Sequence, residues 1–144
     1  MIGNVLPFRS PQSAPTLRLR EIVKGDKDDK GERRDKGEMT KWFAENRGSR
    51  AKFRIRVGNL QKVPRAEWNV AQFRNLGEGL SEIKWKFADK QFRAIGFDHE
   101  GSFVMLLGCT HKMNVYDPSQ CLSTAKRLRK EVQNGEWKTI AFEA

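Results

Sequence analysis

The first hydrophobic pattern along the chain is a short alternation that a long polar segment interrupts. Leu17 and Leu19 alternate with arginines, and this period of two predicts a β-strand that extends toward Val23. The 15 residues that follow contain no apolar side chain and hold six positive and six negative residues. Because such a segment cannot bury itself, we predict a solvated linker. The predicted division is an irregular N-terminal segment, 1–38, that includes one strand and this linker, followed by a folded domain, 39–144.

Two helices are predicted next, from apolar residues at helical spacing. The first stripe consists of Met39, Trp42 and Phe43. The second stripe consists of Phe53, Val57, Leu60 and Val63. The turn sequence 46–48 separates the stripes, Ser49 is placed to cap the second helix, and Pro64 marks its end. The pair is therefore predicted to be an αα-hairpin.

The period of the apolar residues then changes from that of a helix to that of a strand. The first strand alternates Ile83, Trp85 and Phe87 with Lys84 and Lys86. After a turn at 88–90 the chain returns through 91–97, and a second turn leads into 103–107. This last segment is apolar throughout, which predicts a strand buried on both faces. The three strands form an antiparallel meander.

A helix follows the meander, and its start carries a capping signal. Asp117 is placed as the N-cap, Pro118 as the first helical residue and Gln120 as the partner in a capping box. The apolar side of this helix consists of Leu122, Ala125, Leu128 and Val132. Gly135 ends it, and a short strand over 137–142 is predicted after it. The predicted class is α+β: an N-terminal strand, a two-helix hairpin, a three-stranded antiparallel meander and a C-terminal helix.

The composition adds a strong positive charge to this pattern. Lys and Arg number 28 against 18 Asp and Glu, which gives a net charge of +10 and a pI near 10.0. Because the linker is neutral, residues 39–144 carry 19 basic and 11 acidic residues, a net +8. An excess of this size favours an anionic partner, nucleic acid before an acidic protein or a membrane. A basic protein that is merely soluble is the alternative.

The remaining composition argues against membrane, secretion and metal. No apolar run approaches the roughly 20 residues of a membrane span, and the N-terminus is too short in apolar residues for a signal peptide. Cys109 and Cys121 lie in no CxxC pattern, and they lack zinc-site spacing with His99 or His111. We therefore expect a cytoplasmic protein with no metal, no small-molecule cofactor and no membrane partner. A nucleophilic Cys109–His111 pair is disfavoured because Cys109 follows a buried run.

The hairpin between the first two meander strands carries the main candidate chemistry. With a two-residue loop at 89–90, Lys86 pairs with Arg93, and both share a face with Lys84. A wet face with three cations binds phosphate, although an ordinary solvated face shows the same alternating lysines. A three-residue loop would shift the register by one residue and break the cluster.

A second candidate segment, GCTHKMNVY at 108–116, leaves the central strand. His111 exchanges protons near neutral pH, and Lys112 supplies positive charge. Tyr116 is the only tyrosine, and its phenol acts as an acid, a base or a stacking platform. Packing of Tyr116 against the start of the C-terminal helix is the competing interpretation.

The order of elements, together with three segments, resembles the RelE/ParE superfamily of toxins from bacterial toxin–antitoxin pairs. The segments are NLGEGLSEIKWKF at 75–87, FRAIGF at 92–97 and FVMLLGCTHK at 103–112, followed by the basic helix sequence STAKRLRK. The resemblance covers about residues 39–133, and within the superfamily it is strongest to the HigB-like, phage-derived branch. It implies a RelE-like fold.

In function, the resemblance implies an mRNA endoribonuclease that acts on the ribosome and is neutralised by a cognate antitoxin protein. Lys84, Lys86 and Arg93 would hold the scissile phosphate, and Tyr116 or His111 would remove the proton from the ribose 2′-OH. Lys112 would contact the RNA backbone or assist the leaving 5′-oxygen. Additional RNA contacts are expected from Arg54, Lys126, Arg127 and Lys130.

Two other functions fit parts of the same pattern. A non-catalytic protein of this fold could inhibit gyrase, or be a phage-encoded protein that binds a host protein or RNA. The gyrase-inhibiting branch generally lacks the full set of catalytic residues. This chain keeps all five of them, which favours the nuclease: Lys84, Lys86, Arg93, His111 and Tyr116. A general nucleic-acid chaperone fits the charge but leaves the fold pattern unexplained.

Overall fold

The computed structural model describes residues 17–24 and 36–144, which form one mixed sheet with helices on both faces. The strands are β1 (Leu19–Val23), β2 (Phe73–Gly77), β3 (Leu80–Phe87), β4 (Lys90–His99), β5 (Ser102–Lys112), β6 (Val115–Asp117) and β7 (Lys138–Ala141). The helices are α1 (Glu38–Glu45), α2 (Arg47–Gln61) and α3 (Cys121–Gln133), and a single 3-10 turn spans Arg65–Glu67. The predicted α+β class is confirmed.

The sheet has the order β2-β3-β4-β5-β1-β7, and β6 pairs with β5 beyond the end of β1. The central strands β3, β4 and β5 form the predicted antiparallel meander. The predicted N-terminal strand, β1, is parallel to β5 and antiparallel to β7, so it lies inside the sheet. Two strands, β2 and β6, were not predicted.

The two faces of the sheet bury separate apolar clusters. On β5, Phe103 and Met105 pack in the cluster that includes α1 and α2, whereas Val104 and Leu106 pack in the cluster that includes α3. All four residues are buried, which confirms the prediction of a strand covered on both faces. The hairpin α1–α2 therefore covers one face and α3 covers the other.

The loop between β3 and β4 lies one residue earlier than predicted. Phe87 pairs with Lys90, so the two loop residues are Ala88 and Asp89, with φ angles of 50° and 63°. Two consecutive residues with positive φ form the turn whose twist matches a tight hairpin. The predicted pairing of Lys86 with Arg93 is therefore wrong. The register differs by two residues, an even number, so every side chain keeps its predicted face.

Two predicted helix caps are also wrong. Asp117 belongs to β6, and α3 begins at Cys121, after a turn in which Cys121 N–H donates to the carbonyl of Pro118. Pairing of Asp117 with Thr110 on β5 takes precedence over the local capping signal. Ser49 lies inside α2, buried, where its hydroxyl donates to the carbonyl of Asn46.

The first 38 residues lie only partly within the described part. The strand predicted there is β1, while most of the predicted linker, residues 25–35, lies outside the described residues. The division at residue 38 remains a prediction. Among the described helices, none has the length and apolar character needed to cross a membrane.

Candidate nucleic-acid interface

Helix α3 covers only part of its face of the sheet, and the part it leaves open is polar. Toward the β3–β4 hairpin, the apolar cluster under α3 ends at Ile95 and Cys109. The next residue of β4 that faces the same side is Arg93. On β3, Leu80 packs under α3, and the residues two and four further on are Glu82 and Lys84. We call the residues of this region the polar cluster: Arg74, Glu82, Lys84, Arg93, His111 and Tyr116.

A β-bulge decides which residues of β5 join the polar cluster. Ile95 pairs with Leu107 and Gly96 with Met105, so Leu106 is an extra residue in β5. After the bulge, Cys109 packs under α3, and His111, two residues on, shares that side. Gly108 instead lies against Trp42 of α1, so Lys112 points to the α1 side. Lys112 is therefore not brought together with the other predicted site residues.

Glu82 is the centre of the polar cluster and is completely buried, with 0 % of its surface exposed. Its Oε2 accepts a hydrogen bond from Arg74 Nε at 3.0 Å and lies 2.9 Å from Arg74 Nη2. Its Oε1 accepts a hydrogen bond from the hydroxyl of Tyr116 at 2.8 Å. The same oxygen lies 3.5 Å from Arg93 Nε. One buried carboxylate thus fixes two guanidinium groups and a phenol.

Arg93 lies opposite Lys84 on β3 and is 4 % exposed. Its Nη1 donates to the carbonyl of Phe92 at 3.0 Å, and its Nη2 donates to Gln91 Oε1 at 2.7 Å. Burial lowers the pKa of Arg93, and the carboxylate of Glu82 opposes that shift. The guanidinium is therefore held in one orientation, with the hairpin on one side and a carboxylate on the other.

His111 and Tyr116 face each other across β5 and β6, with ring centroids 4.8 Å apart. Burial lowers the pKa of His111, and the positive charge of Arg93 lowers it further. The imidazole is consequently neutral near pH 7 and able to accept a proton. Burial and the hydrogen bond to Glu82 raise the pKa of Tyr116 well above its usual range. Of these two candidate bases, His111 has the suitable protonation state.

The two lysines of β3 differ in their surroundings. Lys84 Nζ donates to the carbonyl of Val70 at 3.0 Å, and burial, followed by the charges of Arg93 and Arg74, lowers the pKa of Lys84. Lys86 pairs with Gln91 across the hairpin and is exposed. Its ammonium group forms no ion pair with any residue of the described ranges.

A cleft of about 300 Å³ opens beside the polar cluster at the edge of β3, and we call it the cationic cleft. Its lining residues are Arg56, Ala71, Lys84, Trp85, Lys86, Gln91 and Arg93. Four of the seven are cations and none is acidic. Arg56 reaches the cleft from α2 and is anchored there, because its Nε donates to the carbonyl of Lys84 at 2.7 Å. Such a cleft is suited to an anion with several oxygens, such as a phosphate.

The other predicted RNA-binding residues lie outside the cationic cleft. Arg54 Nε donates to the carbonyl of Ala144, on the α2 side of the sheet. On α3, Lys126 forms an ion pair with Glu78 and Arg127 forms one with Glu131. Lys130 is exposed on the same helix. These residues contribute to the basic surface without joining the site.

Three residues of the site were not predicted: Arg56, Arg74 and Glu82. Alternation along β3 places Glu82 on the face of Lys84 and Lys86, and that was an available signal. Arg74 lies on β2, a strand that the sequence does not predict. Arg56 lies outside the apolar stripe of its helix, and that position alone does not connect it with the strands.

The described residues contain no group of three or more His, Cys, Asp or Glu side chains arranged to hold a metal ion. Cys109 on β5 and Cys121 at the start of α3 are both buried free thiols. Contact with the Cys121 thiol, together with burial, raises the pKa of Cys109. Cys109 is therefore packed as an apolar residue and is unsuited to attack a substrate.

Comparison of the chain with models of protein families, with curated proteins and with solved structures gives no significant match in any of the three. The chemistry of the cationic cleft must therefore be inferred from its own residues.

Proposed function

We propose that this protein is an endoribonuclease that cleaves mRNA by attack of a ribose 2′-OH on the adjacent phosphate. The observation that carries the proposal is the cationic cleft, which has four cations and no carboxylate in its lining. A neutral imidazole lies next to it, because His111 pairs with Gln91, one of the lining residues. Cations for the phosphate and a base for the hydroxyl are the two requirements of this reaction.

The roles of the residues follow from their surroundings. Lys84, Lys86 and Arg93 neutralise the scissile phosphate, and Arg93 does so from a fixed orientation, which favours stabilisation of developing negative charge. His111 accepts the proton of the 2′-OH. Lys84, whose pKa burial lowers, donates a proton to the leaving 5′-oxygen. The products are a 2′,3′-cyclic phosphate and a 5′-hydroxyl.

Tyr116 is assigned a positioning role. Its hydroxyl donates to Glu82 and its ring contacts His111, so it orients the base instead of acting as one. Lys112, which the resemblance implied for the leaving group, points to the α1 side and takes no part.

The resemblance to RelE/ParE toxins supplies the biological setting of the proposal. The order of a strand, two helices, a three-stranded meander and a C-terminal helix supports a RelE-like topology. A toxin of this class would act in the cytoplasm on mRNA in the ribosome and would be neutralised by a cognate antitoxin. The basic residues of α3 would contribute to docking on rRNA.

One observation favours a second candidate, an RNA- or protein-binding member of the fold that does not cut. Arg93 is 4 % exposed and all three of its guanidinium nitrogens lie near a protein oxygen. Two of these nitrogens are hydrogen-bonded within the hairpin and the third forms the ion pair with Glu82, so Arg93 also serves to fix the hairpin. A cleft can bind RNA without cleaving it.

The experiment that separates the two candidates measures cleavage and binding on the same RNA. End-labelled mRNA is incubated with the protein and a chelator, with and without ribosomes, and cut sites are mapped by primer extension. We expect cleavage with 2′,3′-cyclic phosphate ends, and a loss of about 100-fold or more in His111→Gln, with binding retained. Binding without cleavage in the wild type would support the second candidate. Absence of both would exclude the proposal.

A further inference from the structure

A second, smaller cleft continues the cationic cleft around the edge of β3. It has a volume of about 190 Å³, and we call it the α2 groove. Its lining residues are Lys52, Ile55, Arg56, Asn59, Trp85 and Lys86. Arg56, Trp85 and Lys86 line the cationic cleft as well, so the two spaces adjoin. The α2 groove also contains no acidic residue.

The helical side of the α2 groove is one face of α2. Lys52, Ile55, Arg56 and Asn59 are spaced at i, i+3, i+4 and i+7, which places them in a row. The buried side of α2 is formed by other residues, among them Phe53 and Val57, so the row is free of a packing role in the core. It presents two cations, an amide and an apolar side chain, and Ile55 is 58 % exposed.

Trp85 forms part of the wall that the two clefts share. Its side chain is 2 % exposed and packs in the aromatic core with Phe53 and Phe92, so its indole N–H is shielded from the groove. The attraction of the α2 groove for an anion therefore comes from the charges of its cations, Lys52, Arg56 and Lys86, which no acidic residue in the lining offsets.

The backbone of β3 offers a further donor at the same place. β2 pairs with β3 only as far as Ile83, and the N–H of Lys84 donates outward to the carbonyl of Gln72. Because residues two apart in a strand point the same way, the N–H of Lys86 also points away from β4. No strand of the described ranges pairs with β3 on that side at Lys86.

From these contacts we propose that the α2 groove binds the nucleotide next to the scissile one, in a single-stranded RNA. Its phosphate lies between Lys52 and Arg56, and its base packs on Ile55 with its edge toward the amide of Asn59. This inference rests on the proposed function and extends it by a second subsite. Single-stranded RNA is the fitting class, because only an unpaired base can leave its stack and enter such a groove.

The test measures binding of 2′-O-methylated oligonucleotides of two to six nucleotides, which lack the attacking hydroxyl. For the wild type we expect affinity to rise about tenfold in one step as the oligonucleotide becomes long enough to reach the α2 groove. In Lys52→Ala and Ile55→Ser the rise in affinity with length falls to about threefold or less, whereas the affinity for the dinucleotide is unchanged. Lys52→Ala also reduces the slope of log affinity against log salt by about 0.7.

The matched control is Lys138→Ala, an exposed lysine of β7 at the opposite edge of the sheet, which leaves every length unaffected. The subsite is excluded, and the proposed function stands, if the wild type binds the dinucleotide but shows no rise in affinity with length. The same conclusion follows if that rise persists in both Lys52→Ala and Ile55→Ser. If no oligonucleotide binds to the wild type, with or without ribosomes, the proposed function fails and this inference fails with it.

Discussion

Tyr116 on β6 donates its phenolic hydrogen to the buried carboxylate of Glu82 on β3, at a distance of 2.8 Å. Two strands, β4 and β5, lie between these residues in the sheet. The tyrosine side chain therefore lies across the open face of the sheet and connects β6 to β3. The bond fixes the ring against His111 and occupies the hydroxyl that the resemblance assigned to proton transfer.

Tyr116→Phe tests this division of roles between tyrosine and histidine. The variant keeps the ring contact with His111 and removes only the hydrogen bond to Glu82. We expect the free energy of unfolding to fall by about 1–3 kcal/mol, because a buried acceptor loses its donor. Cleavage falls less than about tenfold, whereas His111→Gln loses about 100-fold or more. Equal losses in the two variants would contradict the assignment of His111 as the base.

The pH dependence of cleavage follows from the lowered pKa of His111. A general base works in its neutral form, so the rate rises with pH through the pKa of the imidazole. Since burial and the charge of Arg93 lower that pKa, the acid limb lies below the usual histidine value of about 6.5. Lys84→Met removes another charge that lowers the pKa, so the titration moves toward higher pH.

The measurement is an NMR titration of the imidazole protons, with His111→Gln identifying the signal against that of His99. The wild-type midpoint is expected below the usual value, and that of Lys84→Met above the wild type. A midpoint above about 6.5 in the wild type would show that Glu82, which opposes the shift, dominates instead.

Glu82→Gln tests whether the buried carboxylate holds the polar cluster together. The substitution keeps the size of the side chain but leaves Arg93 and Arg74 without their negative partner. Breaking a buried ion pair by removing one charge costs about 3–5 kcal/mol. The matched control is Asp98→Asn at an exposed ion pair. There Arg65 Nη1 and Nη2 donate to the two oxygens of the Asp98 carboxylate at 2.7 and 2.8 Å.

The exposed Arg65–Asp98 pair contributes about 0–1 kcal/mol to the free energy of unfolding, since solvent screens it. Urea unfolding of both variants measures the difference. Similar free-energy losses in Glu82→Gln and Asp98→Asn would mean that burial adds nothing to the role of Glu82.

The alternation of apolar residues determined the faces of the hairpin, although not its register. Trp85 and Phe92 must both face α1 and α2, so any even shift preserves the side on which Lys84 and Arg93 lie. The exact turn depends on Ala88 and Asp89 adopting positive φ, and neither residue is a strong signal for that conformation.

The interior of the site depends on contacts that no local pattern encodes. β2 is a short edge strand with only partly buried apolar residues, Phe73 and Leu76, so its pattern resembles a loop. Without β2 there is no reason to place Arg74 beside Glu82. A glutamate in an alternating strand is ordinarily solvated, and its burial here follows from partners on β2, β4 and β6.

Lys86→Ala separates phosphate binding from folding, because this lysine is exposed and forms no ion pair with the described residues. We expect the free energy of unfolding to change by no more than about 0.5 kcal/mol. RNA binding weakens, and its salt slope falls by about 0.7, the value for one phosphate of a single strand. Lys90→Ala is the matched control.

Lys90 lies on the same hairpin and is exposed, but it points to the side of Phe92, away from the polar cluster. Charge and position along the hairpin are thus nearly the same in the two variants, and only the face differs. If RNA binding depended on the overall positive charge alone, both substitutions would weaken it equally. A loss confined to Lys86→Ala, measured by titration at several salt concentrations, assigns the phosphate to the face that carries Lys84 and Arg93.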